Sequence, residues 1–306
     1  MADGSRKVVF AAASANLAIA VSKFVAYAFT GSSAMLTEAI HSVVDTGNQG
    51  LLLVGQRRAA RGASTTHQFG YGMEAFFWSF IVALMIFALG GAAAIWEGIH
   101  QLSHPEPIRM PWVSFAVLGL AIVFEGLSFR VAWKEYKSHA GDFGFFTFLR
   151  GSKDPNLFAV LLEDAAALTG LVIAMAGTAA SVFLGWQYAD GGASICIGLL
   201  LIFVAIFLAN ETRSLIAGEA ASPIVQQKVR QVIAADATVV GVASIQSLHL
   251  GPDEILFAVT LDFSDDLSGP EIEAAADRLS AAIRGADPRI TSVFLRPGKP
   301  AAAQSA

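Results

Sequence analysis

The chain has 306 residues, 55% of them hydrophobic and only 15% charged, whereas a soluble domain carries roughly 25% charged residues. The formal net charge of −5, with no basic stripe, excludes a nucleic-acid partner. The single cysteine, Cys196, excludes a disulfide framework or a Cys-rich zinc site; it lies in an apolar run and reads as a small buried packing residue.

The shortage of charge is uneven. Residues 8–55, 75–99, 112–133 and 156–209 are almost uncharged, and the stretch after Pro223 has ordinary soluble composition. That contrast predicts a membrane part over residues 1–212, a water-exposed domain over 213–298 and a disordered tail over 299–306. No small-residue cleavage site follows a short apolar stretch, so the N-terminal segment does not read as a removable signal.

A spanning helix needs about 20 apolar residues. Six segments qualify, near residues 8–29, 33–55, 75–99, 112–133, 156–184 and 191–210. Gly31 and Ser32 make a tight turn between the first two, His104 to Pro107 interrupt the chain between the third and fourth, and Gly185 to Gly192 separate the last two. Basic residues orient the bundle. Arg6 and Lys7 precede the first helix, Arg57, Arg58 and Arg61 follow the second, and Lys134, Lys137, Arg150 and Lys153 follow the fourth. The loops on the other side hold only Arg109, so both termini are expected in the cytoplasm. The Phe-rich stretch 138–153 reads either as an interfacial segment or as a plain loop.

Beyond Pro223 the period changes. Residues 225–234 read as an amphipathic helix, 242–250 and 255–263 as strands, 269–283 as a helix opened by Gly269-Pro270, and 290–295 as a last strand. The expected architecture is therefore an all-α bundle of six transmembrane helices with a C-terminal cytoplasmic α+β domain, ferredoxin-like in its αββαβ order.

Ionisable residues inside a membrane helix are costly and need a reason. The second helix carries Glu38, His41 and Asp45, spaced i, i+3 and i+7 on one face. His41 and Asp45, one turn apart, can reach one ion, and imidazole with carboxylate suits Zn2+ and its neighbours. The fifth helix carries Glu163 and Asp164. Adjacent residues point about 100° apart, so one of the two is expected to complete the site. A buried hydrogen-bond network without metal is the plainer alternative. Lys23 and Asp190 read as residues near an interface, Lys23 able to snorkel or pair with an acid. Glu97 and Glu125 read as acids near or within helix ends, either solvated or paired, or functional. Asn16, Asn48, Gln49 and Thr169 read as hydrogen-bonding between helices. His67, in the loop after the second helix, is a weak metal signal, and His100, His104 and His139 read as isolated surface histidines.

The runs TGSSAMLTEAIHSVVDTGNQ, HQFGYGMEAFFWSF, DPNLFAVLLEDAAALTG, ADGGASICIG and ETRSLIAGEAAS together resemble the cation diffusion facilitator family of zinc and related metal transporters. The Leu-Glu-Asp on the fifth helix is similar to the branch that includes zinc transporter nine and bacterial relatives. The resemblance implies six transmembrane helices, a cytoplasmic α+β domain, homodimers and proton-coupled metal efflux by alternating access. It implies a transport site at His41 and Asp45 on the second helix and Asp164 on the fifth. The family's partner one turn before Asp164 falls on Val160, which cannot bind metal, so Glu163 or water would take its place. Accessory sites are depleted as well. His67 stands without a second histidine, Tyr71 holding that position. In the C-terminal domain only His249 remains, with Thr260, Arg296 and Gly298 where ligands are expected. The expected cargo is a divalent cation, Zn2+ first and Mn2+, Fe2+, Co2+ or Ni2+ as alternatives, with the proton as counter-ion, no resident cofactor and the bacterial inner membrane as location. An intramembrane enzyme is a poor fit, because there is no nucleophile motif, His-Glu-x-x-His or nucleotide loop. A non-transporting scaffold is the remaining rival.

Overall fold

The computed structural model describes residues 17, 19–105, 107–140 and 155–299. The N-terminal basic pair, most of the Phe-rich stretch with Arg150 and Lys153, Asn16 and most of the tail lie outside the described residues. The chain divides into two units, one of residues 1–55 and 78–212, the other of residues 56–77 and 213–306.

The first unit is helical. Its elements are α1 (Ile19–Thr30), α2 (Ser33–Ala59), α3 (Glu74–Ser103), α4 (Pro111–Ala140), α5 (Pro155–Phe183) and α6 (Ala189–Ile216). Among the described residues, α3 to α6 are long and apolar enough to cross a membrane, with mean hydropathy between 1.8 and 2.7. Leu120, Val123, Leu127, Val172, Phe203 and Ile206 face outward, as lipid-facing residues must when the solvent is hydrocarbon. The interior is built from Met35, Val82, Ile86, Leu118, Leu171, Ile197 and Leu201. Cys196, expected inside, is exposed on α6: its run is apolar all round, so hydropathy alone does not say which side is core.

Two sequence features set how α2 enters the bundle. Gly31 has φ +68°, a left-handed conformation that costs glycine little, and it lets the chain reverse from α1. Asp190 of α6 then caps α2 from across the bundle. Its carboxylate accepts from the Ser32 hydroxyl (2.6 Å) and the Ser33 N–H (2.6 Å), serving donors that a helix start leaves unpaired. Asp190 is thus buried within the protein, in the first turn of α6. A π-helical segment, Ile86–Ala92, widens α3 where Gly90 and Gly91 meet α6.

The second unit has α7 (Pro223–Ala234), β1 (Val239–Gly251), β2 (Glu254–Phe263), α8 (Gly269–Ala286) and β3 (Ile290–Pro297). The sheet order is β1-β2-β3, antiparallel between β1 and β2 and parallel between β2 and β3. Ser222 caps α7 ahead of Pro223, and Ser268 with Glu271 forms a capping box for α8. Val225, Val229, Ile233, Leu279 and Ile283 from the helices cover Ile255, Phe257, Val259 and Leu261 of the central strand. The opposite face leaves Val240, Val242 and Phe294 exposed. The α2–α3 loop belongs to this unit: a Cβ at Gly72 would lie 2.5 Å from the Leu250 carbonyl oxygen and 3.0 Å from the Gly251 Cα, and Phe69 meets Phe294 edge-on at 6.3 Å.

Candidate metal site

The i, i+3, i+7 spacing on α2 turns Glu38 and His41 into the bundle, buried at 0% and 2% exposure, with Asp45 partly buried beside them. His41 Nδ1 stands 3.4 Å from Asp45 Oδ1, too long and unaligned to count as a hydrogen bond. Both ring nitrogens of His41, Asp45 Oδ1 and Glu38 Oε1 have no hydrogen-bond partner among the described residues. Buried polar atoms are normally satisfied, so this cluster holds unused ligand capacity.

Glu38 is paired instead with Lys23. The ammonium of α1 lies 3.1 Å from Glu38 Oε2 and donates to Ser42 Oγ at 2.8 Å. Lys23 is 1% exposed, so of the two expectations for it, snorkelling or pairing with an acid, the structure shows the pairing. Gly170 of α5 makes room for this pair, since a Cβ there would stand 2.8 Å from Glu38 Oε1.

One helical turn further along α2 is a cavity of about 30 Å³ lined by Ile19, Ser42, Asp45, Gln49, Glu125, Ser128, Glu163 and Asp164. That volume holds a water or a bare metal ion and little more. Four carboxyl groups from three helices share its wall. Glu163 accepts from the Asn48 amide (2.5 Å) and Asp164 from the Ser128 hydroxyl (3.0 Å). Carboxylates so close cannot all be charged without protons or a cation among them, which is the chemistry of a site where the two compete.

Three of the four site residues expected from sequence, Asp45, Glu163 and Asp164, therefore line one cavity. His41 does not line it and touches the site through Asp45. Both members of the α5 pair face the cavity, against the expectation of one. The roughly 100° between neighbouring residues is spanned because Glu163 reaches toward α2 and Asp164 toward α4. Glu125, read as an acid near a helix end, stands in the middle of α4 and lines the same wall. Gln49 lines it too. Among the described residues no three His, Cys, Asp or Glu side chains form a ready-made metal cluster; the carboxyls surround a space without converging on one point.

A family model described as the cation efflux transmembrane domain matches residues 9–217. The chain belongs to the cation efflux family. It is 30% identical over 85% of its length to a human protein named proton-coupled zinc antiporter SLC30A9, mitochondrial, and covers 46% of that protein. It is 32% identical over 86% of its length to metal tolerance protein C4 of Arabidopsis thaliana, covering 58% of it. The chain thus spans about half the length of these two relatives. It is 23% identical to the cation-efflux pump FieF of Escherichia coli over 91% of its own length and 87% of that chain. The relatives named for an activity are cation transporters, not enzymes.

Acids buried in apolar helices need protons or a counter-charge, because a hydrocarbon interior makes charge costly. Glu125 could have been found from sequence by its position well inside an apolar run. The Lys23–Glu38 pair could not: pairing needs the azimuth of α1 against α2, which composition does not carry. Elsewhere His67 stacks on Tyr71 with centroids 4.1 Å apart and sits by Thr66 Oγ1, and His249 is buried in the C-terminal sheet beside the Gly251 carbonyl.

Proposed function

We propose that this cation efflux protein exports Zn2+ from the cytoplasm in exchange for protons, by alternating access in a six-helix membrane bundle. The observation that carries the proposal is the cavity where Asp45, Glu125, Glu163 and Asp164 face one another. His41, Asp45, Asp164 and Glu163 hold the ion, His41 by a small turn of its ring toward Asp45. Glu163 stands in for the ligand that Val160 cannot supply. Protons are the counter-ion because carboxylates and imidazole bind metal and proton through the same lone pairs. The human relative's name supports both zinc and proton. Both termini face the cytoplasm of a bacterial inner membrane, residues 213–298 form a ferredoxin-like cytoplasmic domain, and two chains pair as a homodimer.

The lining of the cavity favours a second reading. Its polar groups are all carboxyl, hydroxyl or amide, with no imidazole, and an oxygen set suits harder ions such as Mn2+. Uptake of Zn2+ and Mn2+ into proteoliposomes carrying a pH gradient separates the two. Asp45→Ala and Asp164→Ala are expected to abolish flux of either ion with the protein still folded in the membrane. His41→Ala lowers Zn2+ flux and spares Mn2+ if the imidazole ligates. Wild-type flux in both aspartate variants would refute this site.

A further inference from the structure

The end of the bundle where α2 and α6 begin carries a second group of metal-ligating side chains that the cavity does not use. His100 lies in the last turn of α3 and His104 closes that helix, its N–H donating to the His100 carbonyl at 3.0 Å. The pair was expected as isolated surface histidines; the helix instead brings them together. Their imidazole centroids are 5.4 Å apart with planes inclined by 34°. Both residues are exposed, so an ion can reach them from water. Glu97, one turn earlier and half-buried, lies near His100 and Asp190.

Three physical points converge here. Two imidazoles on one tetrahedral Zn2+, with Zn–N bonds of about 2.0–2.1 Å, hold their centroids roughly 5 Å apart, close to the separation seen. The last turn of a helix is the negative end of its dipole and favours a cation. His104 is the residue that closes α3, with φ −135° and ψ 72°, and that turn already sets its ring beside that of His100.

We propose that His100 and His104 form a second, peripheral site for a borderline-soft divalent cation such as Zn2+, with Glu97 available as a third ligand by side-chain rotation and water completing the shell. The binding does not depend on the transport reading. A role in receiving an ion released from the interior does rest on that reading.

The test uses full-length protein in detergent with Asp45→Asn and Asp164→Asn, so that the cavity contributes little, titrated with zinc chloride by calorimetry. Adding His100→Gln and His104→Gln removes one zinc equivalent per chain. Glu97→Gln weakens that equivalent about tenfold or more, the loss usual when even an outer-shell carboxylate beside a ligating histidine is removed. The histidines are exposed, so the variants keep their size-exclusion profile. An unchanged zinc stoichiometry in the double histidine variant overturns the site. That result leaves the cavity reading intact, because the cavity reading fails only on flux in the otherwise wild-type Asp45 and Asp164 variants.

Discussion

Replacing Lys23 by methionine isolates the buried ion pair between α1 and α2. The two side chains are 1% and 0% exposed, with the ammonium 3.1 Å from Glu38 Oε2. At an effective dielectric of about 20, unit charges at that distance attract by about 5 kcal/mol before desolvation is subtracted. Removing one partner leaves the other charge buried and uncompensated, which costs about 3–5 kcal/mol. Glu38 gains no replacement partner: its Oε1 already lacks one among the described residues, and Gly170 beside it offers no side chain. Methionine keeps the apolar stem that lysine packs along the helix, so the loss reports charge rather than volume. Lys23→Met with Glu38→Met removes both charges, and such apolar replacements run from neutral to about 1–4 kcal/mol stabilising. The single variant is therefore expected to lose about 3–5 kcal/mol and the double to recover nearly all of it. Unfolding by SDS titration in mixed micelles, followed by tryptophan fluorescence, measures both. If Lys23→Met unfolds within about 1 kcal/mol of wild type, the pair is not energetically coupled and the reasoning is wrong.

Three further outcomes are expected. Asp190→Ala removes the acceptor of the Ser32 hydroxyl and the Ser33 N–H, costing about 1–2 kcal/mol as a lost helix cap and more for the buried hydroxyl left unpaired; equal SDS-unfolding midpoints for variant and wild type would argue against the cross-bundle cap. Gly72→Ala places a Cβ 2.5 Å from the Leu250 carbonyl oxygen, so the α2–α3 loop must leave the β1–β2 hairpin, and trypsin should cut at the exposed Arg61 faster than in wild type; an unchanged cleavage rate contradicts the docking. Residues 213–306 expressed alone should fold around Val229, Phe257 and Leu279, bind zinc weakly, and lose stability in acid. The Arg289 side-chain hydrogen bond holds the Asp287 carboxyl below its usual range. A depressed carboxyl contributes stability above the ordinary carboxylate pKa of about 3.9 and loses it as pH falls through the folded value. Arg289→Gln should flatten that acid limb in thermal melts recorded from pH 7 downward, and an identical limb would remove Asp287 as its cause.

The fold was most legible where the period of the sequence changes. The αββαβ order appears in its expected sequence because the central strand alternates and each helix opens with a serine cap followed by proline or glutamate. Boundaries shifted where tertiary pairing extends an element: β1 begins at Val239 rather than at 242 because Val239 pairs with Phe263 across a bulge. The docking of residues 56–77 with the C-terminal unit was not legible at all. Glycine at 72 is compatible with any turn, and only the hairpin beside it shows that the glycine is there for close approach.

Which ionisable residues lie inside the bundle was legible, and how they are arranged was not. Carboxylates and imidazole inside apolar helices identify themselves by cost, since hydrocarbon gives them no other reason to be there. Which of them meet depends on how each helix is rotated, and an all-round apolar helix such as α4, exposed at Leu120, Val123 and Leu127, gives no hydrophobic stripe from which to infer that rotation. The sequence therefore leaves Glu125 open between a solvated or paired acid and a functional one; in the structure it completes the wall with Ser128, one turn on, as the hydroxyl that Asp164 accepts from. The same ambiguity bears on the cation proposed for the site. His41 and Asp45 share a face of α2, yet Asp45 lines the cavity while His41 stands behind it. A ring rotation that admits His41 makes the ligand set nitrogen-containing and suited to zinc; its exclusion leaves an all-oxygen set suited to harder ions. On the transport reading proposed above, selectivity rests on the packing around one imidazole, and residues beside His41, such as Lys23 and Ser42, bear on it without touching the metal themselves.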